Sequence, residues 1–326
     1  MKKRLLITGG LGYVGGRITQ SLLENGNYEV CLTSLKQTLP DDSPWLAQCE
    51  IIPLDLMDES RDLVSVCKDI DCVIHLAAIN EVACAQNPAL ALKVNGLGSV
   101  RLLNAAIQAK VQRFIYFSTA HIYSAPLAGH LTEQSLPRPI HPYAITHKVA
   151  EDFVLAAHDQ KLIEGVVIRL SNSFGAPISP QVDRWTLLLN ELAKQAVTER
   201  RVTLKSMGLQ YRDFVTLTDV CRALEHLMLL DSKLLGNGIF NLGGKTLRVI
   251  EAVNLLIKAC EDLLGFQPPL ELPAGAGMAS PHKEEPVLNF DCTKLVNTGF
   301  VFQRNFDLEM QGLLKFCHQH FKRIVR

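Results

Sequence analysis

The stretch that decides the fold is LLITGGLGYVGG, residues 5–16. Residues 5–8 are typical of a buried strand, and the apolar spacing of residues 17–25 predicts a helix that stops at Gly26. Glycines between a strand and a helix let the backbone turn sharply and approach a pyrophosphate, which the positive end of the helix attracts. We therefore predict a dinucleotide site that includes Gly9, Gly12, Tyr13, Val14 and Gly15.

Short apolar runs recur along the following half of the chain, each separated from the next by enough residues for a helix. Such alternation is typical of a parallel sheet covered by helices on both faces. We predict an α/β fold: a Rossmann-type doubly wound parallel sheet with a smaller, interleaved C-terminal substrate-binding lobe. The further predicted strands are residues 28–32, 51–53, 72–75, 113–118 and 166–170.

The domain boundaries follow from a change in this rhythm after Gly175, where prolines become frequent. We expect residues 1–173 to form the dinucleotide-binding domain, with 213–263 returning to it. Residues 174–212 and 264–326 are expected to form the substrate-binding lobe. A chain of 326 residues is long enough for one large domain with a lobe or for two domains.

Composition excludes several classes of function. The formal net charge is zero and no basic run occurs, so a nucleic-acid partner is not expected. The nine cysteines form no CxxC pair, which indicates reduced thiols and a cytoplasmic protein. No histidines or carboxylates are paired at ligand spacing, and no run approaches the roughly 20 apolar residues of a membrane span, so neither a metal nor a membrane is expected.

The glycine turn is the first of an ordered series of motifs. The others are DLMD at 55–58, HLAA at 75–78, VNG at 94–96, FST at 117–119, PY at 142–143, RLSNSFG at 169–175, RDFV at 212–215, NLGG at 241–244 and DCTK at 291–294. In this order they resemble the extended short-chain dehydrogenase/reductase family of nucleotide-sugar epimerases, dehydratases and reductases. The resemblance covers almost the whole chain, and the ordered set is far more specific than any single motif.

The resemblance implies NAD or NADP as the cofactor. An acid at the end of the second strand would bind the ribose hydroxyls of NAD, whereas a cation nearby accommodates the 2′-phosphate of NADP. The sequence has Thr33, Ser34 and Lys36 there and no acid before Asp41, which favours NADP while leaving NAD open. The family's pattern adds further cofactor-binding candidates, namely Asp55, Leu56, Leu76, Ala77, Ala78, Asn95 and Ser118.

The resemblance also implies a catalytic pair. Hydride transfer at a sugar carbon needs a group that moves the hydroxyl proton, and in the family this is a tyrosine, here Tyr143, with Thr119 bonded to the same oxygen. Tyrosine titrates near pH 10, so a cation must favour its phenolate. The family's lysine, one helical turn on, is His147 here, and Lys148 is rotated away by more than a quarter turn.

This substitution leaves two hypotheses. His147 can bind the ribose, but it is largely neutral at pH 7 and polarises Tyr143 less than a lysine, which predicts an enzyme that is slower or needs alkaline pH. The alternative is a non-catalytic NAD(P)-binding regulator or scaffold in which the pair has decayed. Because Thr119, Tyr143, Asn172 and Arg212 are all present, we favour activity.

The neighbours of Thr119 narrow the reaction. Family members that dehydrate sugars carry an Asp-Glu pair there, and Ala120-His121 in its place disfavours dehydration. Epimerases and reductases of the family share these residues, so the sequence does not distinguish between the two reactions. His121 falls where some relatives place a cysteine acid/base, and it is either such a group, a substrate contact or a packed strand-end residue.

The resemblance also implies partners. Arg212 can hold a diphosphate bidentately and Asn172 falls in a segment that reaches the substrate, so a nucleotide sugar is the expected substrate. Relatives dimerise through two helices that correspond to residues 90–109 and 143–157. A homodimer is therefore expected, although the same apolar periodicity fits packing on the sheet.

Overall fold

A computed structural model describes residues 2–35, 44–273 and 286–321. The predicted doubly wound sheet is confirmed, and each of the six predicted strands is present. The strands are β1 (Lys3–Thr8), β2 (Tyr28–Ser34), β3 (Glu50–Pro53), β4 (Cys72–His75), β5 (Arg113–Thr119), β6 (Gly129–Leu131), β7 (Glu164–Leu170), β8 (Asn172–Phe174), β9 (Val202–Thr203), β10 (Tyr211–Thr216), β11 (Ile239–Leu242), β12 (Lys245–Arg248), β13 (Leu270–Glu271) and β14 (Leu288–Phe290).

The helices fill the intervals between strands. A π-helical segment, Leu92–Gly98, joins two of them. The α-helices are α1 (Tyr13–Asn25), α2 (Leu63–Val66), α3 (Glu81–Gln86), α4 (Pro88–Ala91), α5 (Ser99–Gln108), α6 (Pro142–Asp159), α7 (Leu188–Thr198), α8 (Leu217–Leu229), α9 (Val249–Leu264), α10 (Thr293–Asn297) and α11 (Phe306–Phe321). Across the described ranges, no helix is both long enough and apolar enough to cross a bilayer.

The main sheet has the strand order β3-β2-β1-β4-β5-β7-β11, and every pairing in it is parallel. Alternate residues of β1 enter opposite faces: Leu5 and Ile7 join a core with α1 and α8, whereas Leu6 joins a core with α5 and α6. The strand order reverses between β1 and β4, and ligands of such sheets bind in the crevice at that point.

A third core holds the lobe together. It is formed by α7, α9 and α11 and lies beside the small sheet β8-β10-β12. Within the expected returning segment, residues 213–263, α8 and β11 pack with the main sheet, but α9 packs with α7 and α11. The expected division into domains stays a prediction, and β10, β12 and α9 are the elements of this segment that lie with the lobe.

Candidate active site

A cavity of about 610 Å³ opens at the carboxyl ends of the central strands, between the sheet and the lobe. Most of the residues predicted from the sequence meet there, although they come from segments scattered over 200 residues. The predicted residues in its wall are Gly9, Gly12, Tyr13, Val14, Gly15, Leu76, Ala77, Ala78, Ser118, Thr119, His121, Tyr143, His147, Asn172 and Arg212.

The other predicted residues that the structure describes do not line this cavity. Thr33 and Ser34 are buried at the end of β2, and Lys36 lies outside the described residues. Asp55 accepts the backbone N–H of Met57 at 2.8 Å, and its neighbour Leu56 is buried in the core. Asn95, also predicted to contact the cofactor, is fully buried and does not line the cavity.

The glycine turn is shaped by backbone contacts that exclude side chains. Gly9 has φ +71°, and a Cβ on it would stand 2.9 Å from the backbone nitrogen of Ala77. A Cβ on Gly15 would stand 2.2 Å from the carbonyl oxygen of Gly9. Helix α1 begins next to this turn without a side-chain cap, so its first N–H groups remain available to a ligand in the cavity. This cradle fits the pyrophosphate of a dinucleotide.

A buried hydrogen-bonded chain fixes the strand ends behind the turn. His75 is bonded through its two ring nitrogens to Thr8 and Ser99, and burial lowers its pKa to about 3. Ser99 donates to the carbonyl oxygen of Asn95, and the Asn95 amide donates to Thr146 of α6 at 3.2 Å. The chain therefore ties the ends of β1 and β4 to the helix that carries Tyr143.

The proposed acid/base lies at the start of α6. The Nδ1 atom of His141 accepts the backbone N–H of Tyr143 at 3.1 Å and caps this helix. Thr119 ends β5, and its hydroxyl accepts the backbone N–H of His121 at 3.2 Å. Burial raises the pKa of Tyr143 to about 12, so the phenol is neutral unless a positive charge approaches it.

His147 supplies no such charge. Its Nδ1 atom is 2.8 Å from the carbonyl oxygen of Tyr143, which can only accept, so Nδ1 carries the proton. Burial lowers the pKa of His147 to about 4, and the neutral ring packs on Tyr143 with centroids 4.1 Å apart. The Nε2 atom is then an acceptor, which suits a ribose hydroxyl but not the stabilisation of a phenolate.

Lys148 does not replace the missing lysine. Its ammonium pairs with Asp152 one turn further along α6, and neither residue lines the cavity. This agrees with the rotation expected for a residue five positions after Tyr143.

A buried ion pair lies next to the cavity wall. Glu151 of α6 is fully buried and pairs with Arg169 of β7, whose side chain is 3% exposed. Ser118 donates its hydroxyl to Glu151 at 3.0 Å, and Arg169 donates to the Tyr123 hydroxyl at 2.8 Å. The Ser118 hydroxyl, predicted as a cofactor contact, is therefore used inside the protein.

The cavity wall also contains an accessible cation. Arg212 is exposed and makes no ion pair within the described ranges. Its neighbour Asp213 is buried and bonded to Ser171 and Gly244 instead, so the two do not pair. Desolvation in the cleft and the charge of Arg212 both lower the pKa of His121.

Sequence reasoning missed a charged pair in the wall, Glu81 and Arg184. The Arg184 guanidinium donates to the Glu81 carboxylate at 3.0 Å, across 103 residues of chain. Glu81 begins α3, just after the HLAA motif, and an acid at that place was an available signal for a wall residue. Arg184 lies in the proline-bounded segment before α7, where the sequence carries no motif.

Within the described part of the chain, no group of three or more histidine, cysteine or carboxylate side chains could hold a metal ion.

Comparison with known proteins identifies relatives of this chain. The model of the NAD dependent epimerase/dehydratase family matches residues 5–243. Human dTDP-D-glucose 4,6-dehydratase is 31% identical over 235 residues, which are 68% of this chain and 64% of that protein, just under two thirds. UDP-glucose 4-epimerase of Azospirillum brasilense is 28% identical over 287 residues, 82% of this chain and 79% of that protein.

A solved structure shares the fold over nearly the whole length. UDP-glucuronic acid 4-epimerase from Bacillus cereus in complex with NAD superposes with a TM-score of 0.80 at 22% identity, covering 98% of this chain and 97% of that one.

Proposed function

The chain belongs to the NAD dependent epimerase/dehydratase family, and on this premise we propose that it transfers a hydride at a carbon of a nucleotide-activated sugar, as an epimerase or a ketoreductase. The observation that carries the proposal is the cavity. Tyr143, Thr119 and His121 line it together with the glycine turn, Asn172 and Arg212. Such a wall combines proton-transfer groups with a dinucleotide cradle and a cation for a diphosphate.

Tyr143 moves the proton of the sugar hydroxyl, and Thr119 donates a hydrogen bond to the same oxygen. Bound NAD would accept the hydride from the carbon that bears this hydroxyl, which leaves a ketone there, and the reduced cofactor would return a hydride to such a ketone. His147 would accept a hydrogen bond from the nicotinamide ribose through Nε2, because its Nδ1 proton is committed to the Tyr143 carbonyl oxygen. Arg212 holds the diphosphate of the substrate, and Asn172, whose amide donates to the Asp213 carbonyl oxygen at 2.9 Å, stands beside it.

Dehydration is disfavoured because the cavity wall offers too few acidic side chains for it. Removal of water from a sugar needs one group that protonates the leaving hydroxyl and another that takes the proton beside the ketone. Among the described residues of the wall, Glu81 is the one carboxylate, and Arg184 holds it. Residues 120 and 121, next to Thr119, are alanine and histidine.

The cofactor of the family is NAD, and a preference for NADP stays a prediction. The support for NADP is the absence of an acid at the end of β2, where Thr33 and Ser34 stand. Competing titrations with NAD and NADP test this choice directly.

A homodimer is the expected assembly. Large apolar side chains are exposed on the two helical segments that relatives of the family pair between subunits. They are Leu90, Leu92, Leu97, Ile145 and Phe153, between 43% and 50% exposed. Light scattering of the purified protein tests the expectation, and Phe153→Glu should shift a dimer toward monomer.

The experiment that tests the function uses full-length protein stripped of cofactor. NAD, NADH, NADP and NADPH are titrated by calorimetry. The loaded protein is then incubated with the UDP-sugars and dTDP-glucose that the relatives' names mention, and with 4-keto sugars. Proton NMR follows the sugar, and absorbance follows the nicotinamide. Tyr143→Phe is the matched control, since it removes only the acid/base hydroxyl.

Each outcome has a definite reading. An epimer formed without net change of nicotinamide supports an epimerase, and a keto sugar reduced with consumption of NADH or NADPH supports a reductase. Tyr143→Phe should lose about 100-fold or more of either activity while its cofactor affinity stays within about threefold. A product that has lost water overturns the reaction class. Cofactor binding without turnover by wild type or His147→Lys overturns the enzyme proposal and revives the non-catalytic alternative, to which the comparisons lend no support.

A further inference from the structure

The pair formed by Glu81 and Arg184 joins the lobe to the sheet across the wall of the cavity. The Arg184 side chain is 24% exposed and that of Glu81 is 43% exposed, and their atoms are 3.0 Å apart. One residue earlier in each segment, Asn80 donates to Asp183 at 3.3 Å. The loop before α7 is thus fastened twice to the start of α3, with the guanidinium in the same wall as Tyr143 and His147.

Helix α6 offers Tyr143 no positive charge of its own. His147 is neutral because its Nδ1 proton is donated to a carbonyl oxygen and its ring is buried. Lys148 is paired with Asp152 outside the cavity. A cation that favours the phenolate must therefore come from another element.

Several elements bring titratable or charged groups around Tyr143. Arg184 lowers the pKa of Tyr143, whereas Glu81 and Cys84 raise it and burial raises it most. Arg184 also lowers the pKa of His147, so its charge acts on both members of the pair. The other such groups are Tyr116 of β5, whose pKa Tyr143 raises, and His121, His141 and Arg212 in the wall.

This inference rests on the function proposed above. We propose that Arg184 is a positioning residue that takes over the charge of the family's lysine. Its guanidinium, carried by the lobe, supplies the positive charge toward which the Tyr143 hydroxyl ionises, and Glu81 holds that guanidinium in place. The charge that activates the acid/base then comes from the segment before α7 rather than from the catalytic helix. Catalytic competence therefore depends on contact between this segment and α3.

Two neutral, nearly isosteric variants test the proposal, because it predicts opposite effects for them. In Arg184→Gln, the alkaline pKa of the kcat profile should rise by about one unit, with roughly tenfold less turnover near neutral pH. In Glu81→Gln the same pKa should fall, since a carboxylate that opposes the phenolate is gone. Arg184→Lys should restore most of the wild-type profile. Cofactor affinity and melting temperature are measured alongside for every variant.

A second readout does not need turnover. The full chain is labelled with fluorotyrosine, which titrates at lower pH than tyrosine, and is loaded with NAD. The fluorine resonance of Tyr143 is the one missing from Tyr143→Phe, among the six tyrosines of the chain. Its midpoint should move up in Arg184→Gln and down in Glu81→Gln.

The two readouts separate the failure of this inference from failure of the proposed function. Opposite shifts of the fluorine midpoint in a protein that turns over no sugar support the electrostatic role and refute the reaction. Turnover with unmoved profiles and midpoints refutes the role of Arg184. A uniform loss of rate at every pH in Arg184→Gln also refutes it, because a purely structural contact would act in that way.

Discussion

The two halves of the cavity are built by different means. The cofactor half consists of the turn from Gly9 to Gly15 and the ends of β1 and β4, and its shape is set by distances between backbone atoms. The other half, called the catalytic half after the function proposed above, consists of Thr119, Tyr143 and His147 with Glu81 and Arg184. Its properties depend on the protonation and pairing of side chains.

The two halves differ in how they tolerate amino-acid substitutions. A backbone cradle works only with glycine at its tight positions, so any side chain there should abolish it. A side-chain site can exchange one charged group for another from a distant element, which is the role proposed above for Arg184. We expect substitutions in the cofactor half to act on binding and those in the catalytic half to act on ionisation.

Gly15→Ala should have the largest effect. The new methyl group would stand 2.2 Å from the Gly9 carbonyl oxygen, and a backbone atom cannot yield as the end of a side chain can. We expect NAD affinity to fall by about 100-fold, close to 3 kcal/mol, in calorimetric titration. Gly312→Ala is the control: this glycine lies within α11 with nothing near its Cβ position. It should raise stability by about 0.5–1 kcal/mol without changing affinity. Equal affinities in both variants would contradict a backbone-built cradle.

Glu151→Gln should act on the scaffold beneath the catalytic half. It removes the charge that compensates Arg169, and both side chains are buried. Unfolding in urea should show a loss of about 3 kcal/mol. Asp152→Asn removes the neighbouring exposed pair with Lys148 and should cost less than about 0.5 kcal/mol. Similar losses in the two variants would mean that burial does not distinguish these ion pairs.

The glycine turn could be predicted from the sequence because local sterics fix it, whereas other predicted cofactor contacts, such as Asp55 and Asn95, do not line the cavity. Glycine spacing and strand-to-helix context are read within a dozen residues, and the six predicted strands and the fold follow from short-range apolar patterns. Nothing local identifies Arg184, since its partner Glu81 lies 103 residues away and only folding brings them together. Helix α9 shows the same limit: its apolar face fits either the sheet or the lobe, and tertiary packing with α7 and α11 decides.

His147→Gln should change how stability responds to acid. In the folded chain the pKa of His147 is lowered to about 4, from an ordinary value near 6.5, so below that value the unfolded chain binds the proton more readily. Stability is therefore lost as pH falls from about 6.5 toward 4 and is unaffected above this window. Between about pH 7 and pH 5, wild type should lose roughly 2 kcal/mol more than His147→Gln in urea unfolding. Equal losses would mean that the ring is protonated in the fold.

Lys148→Ala should have the smallest effect. Although this lysine stands one position from the place where the family has its catalytic lysine, its ammonium pairs with Asp152 outside the cavity wall. Losing an exposed pair of this kind costs less than about 0.5 kcal/mol, and we expect the alkaline pKa of the rate profile to stay where it is in wild type. The same profile measured for Arg184→Gln gives the contrast. A large alkaline shift in Lys148→Ala, with none in Arg184→Gln, would mean that α6 turns in the loaded enzyme to bring Lys148 to the phenol. The activating charge would then come from the catalytic helix itself, and the lobe would have no part in ionising Tyr143.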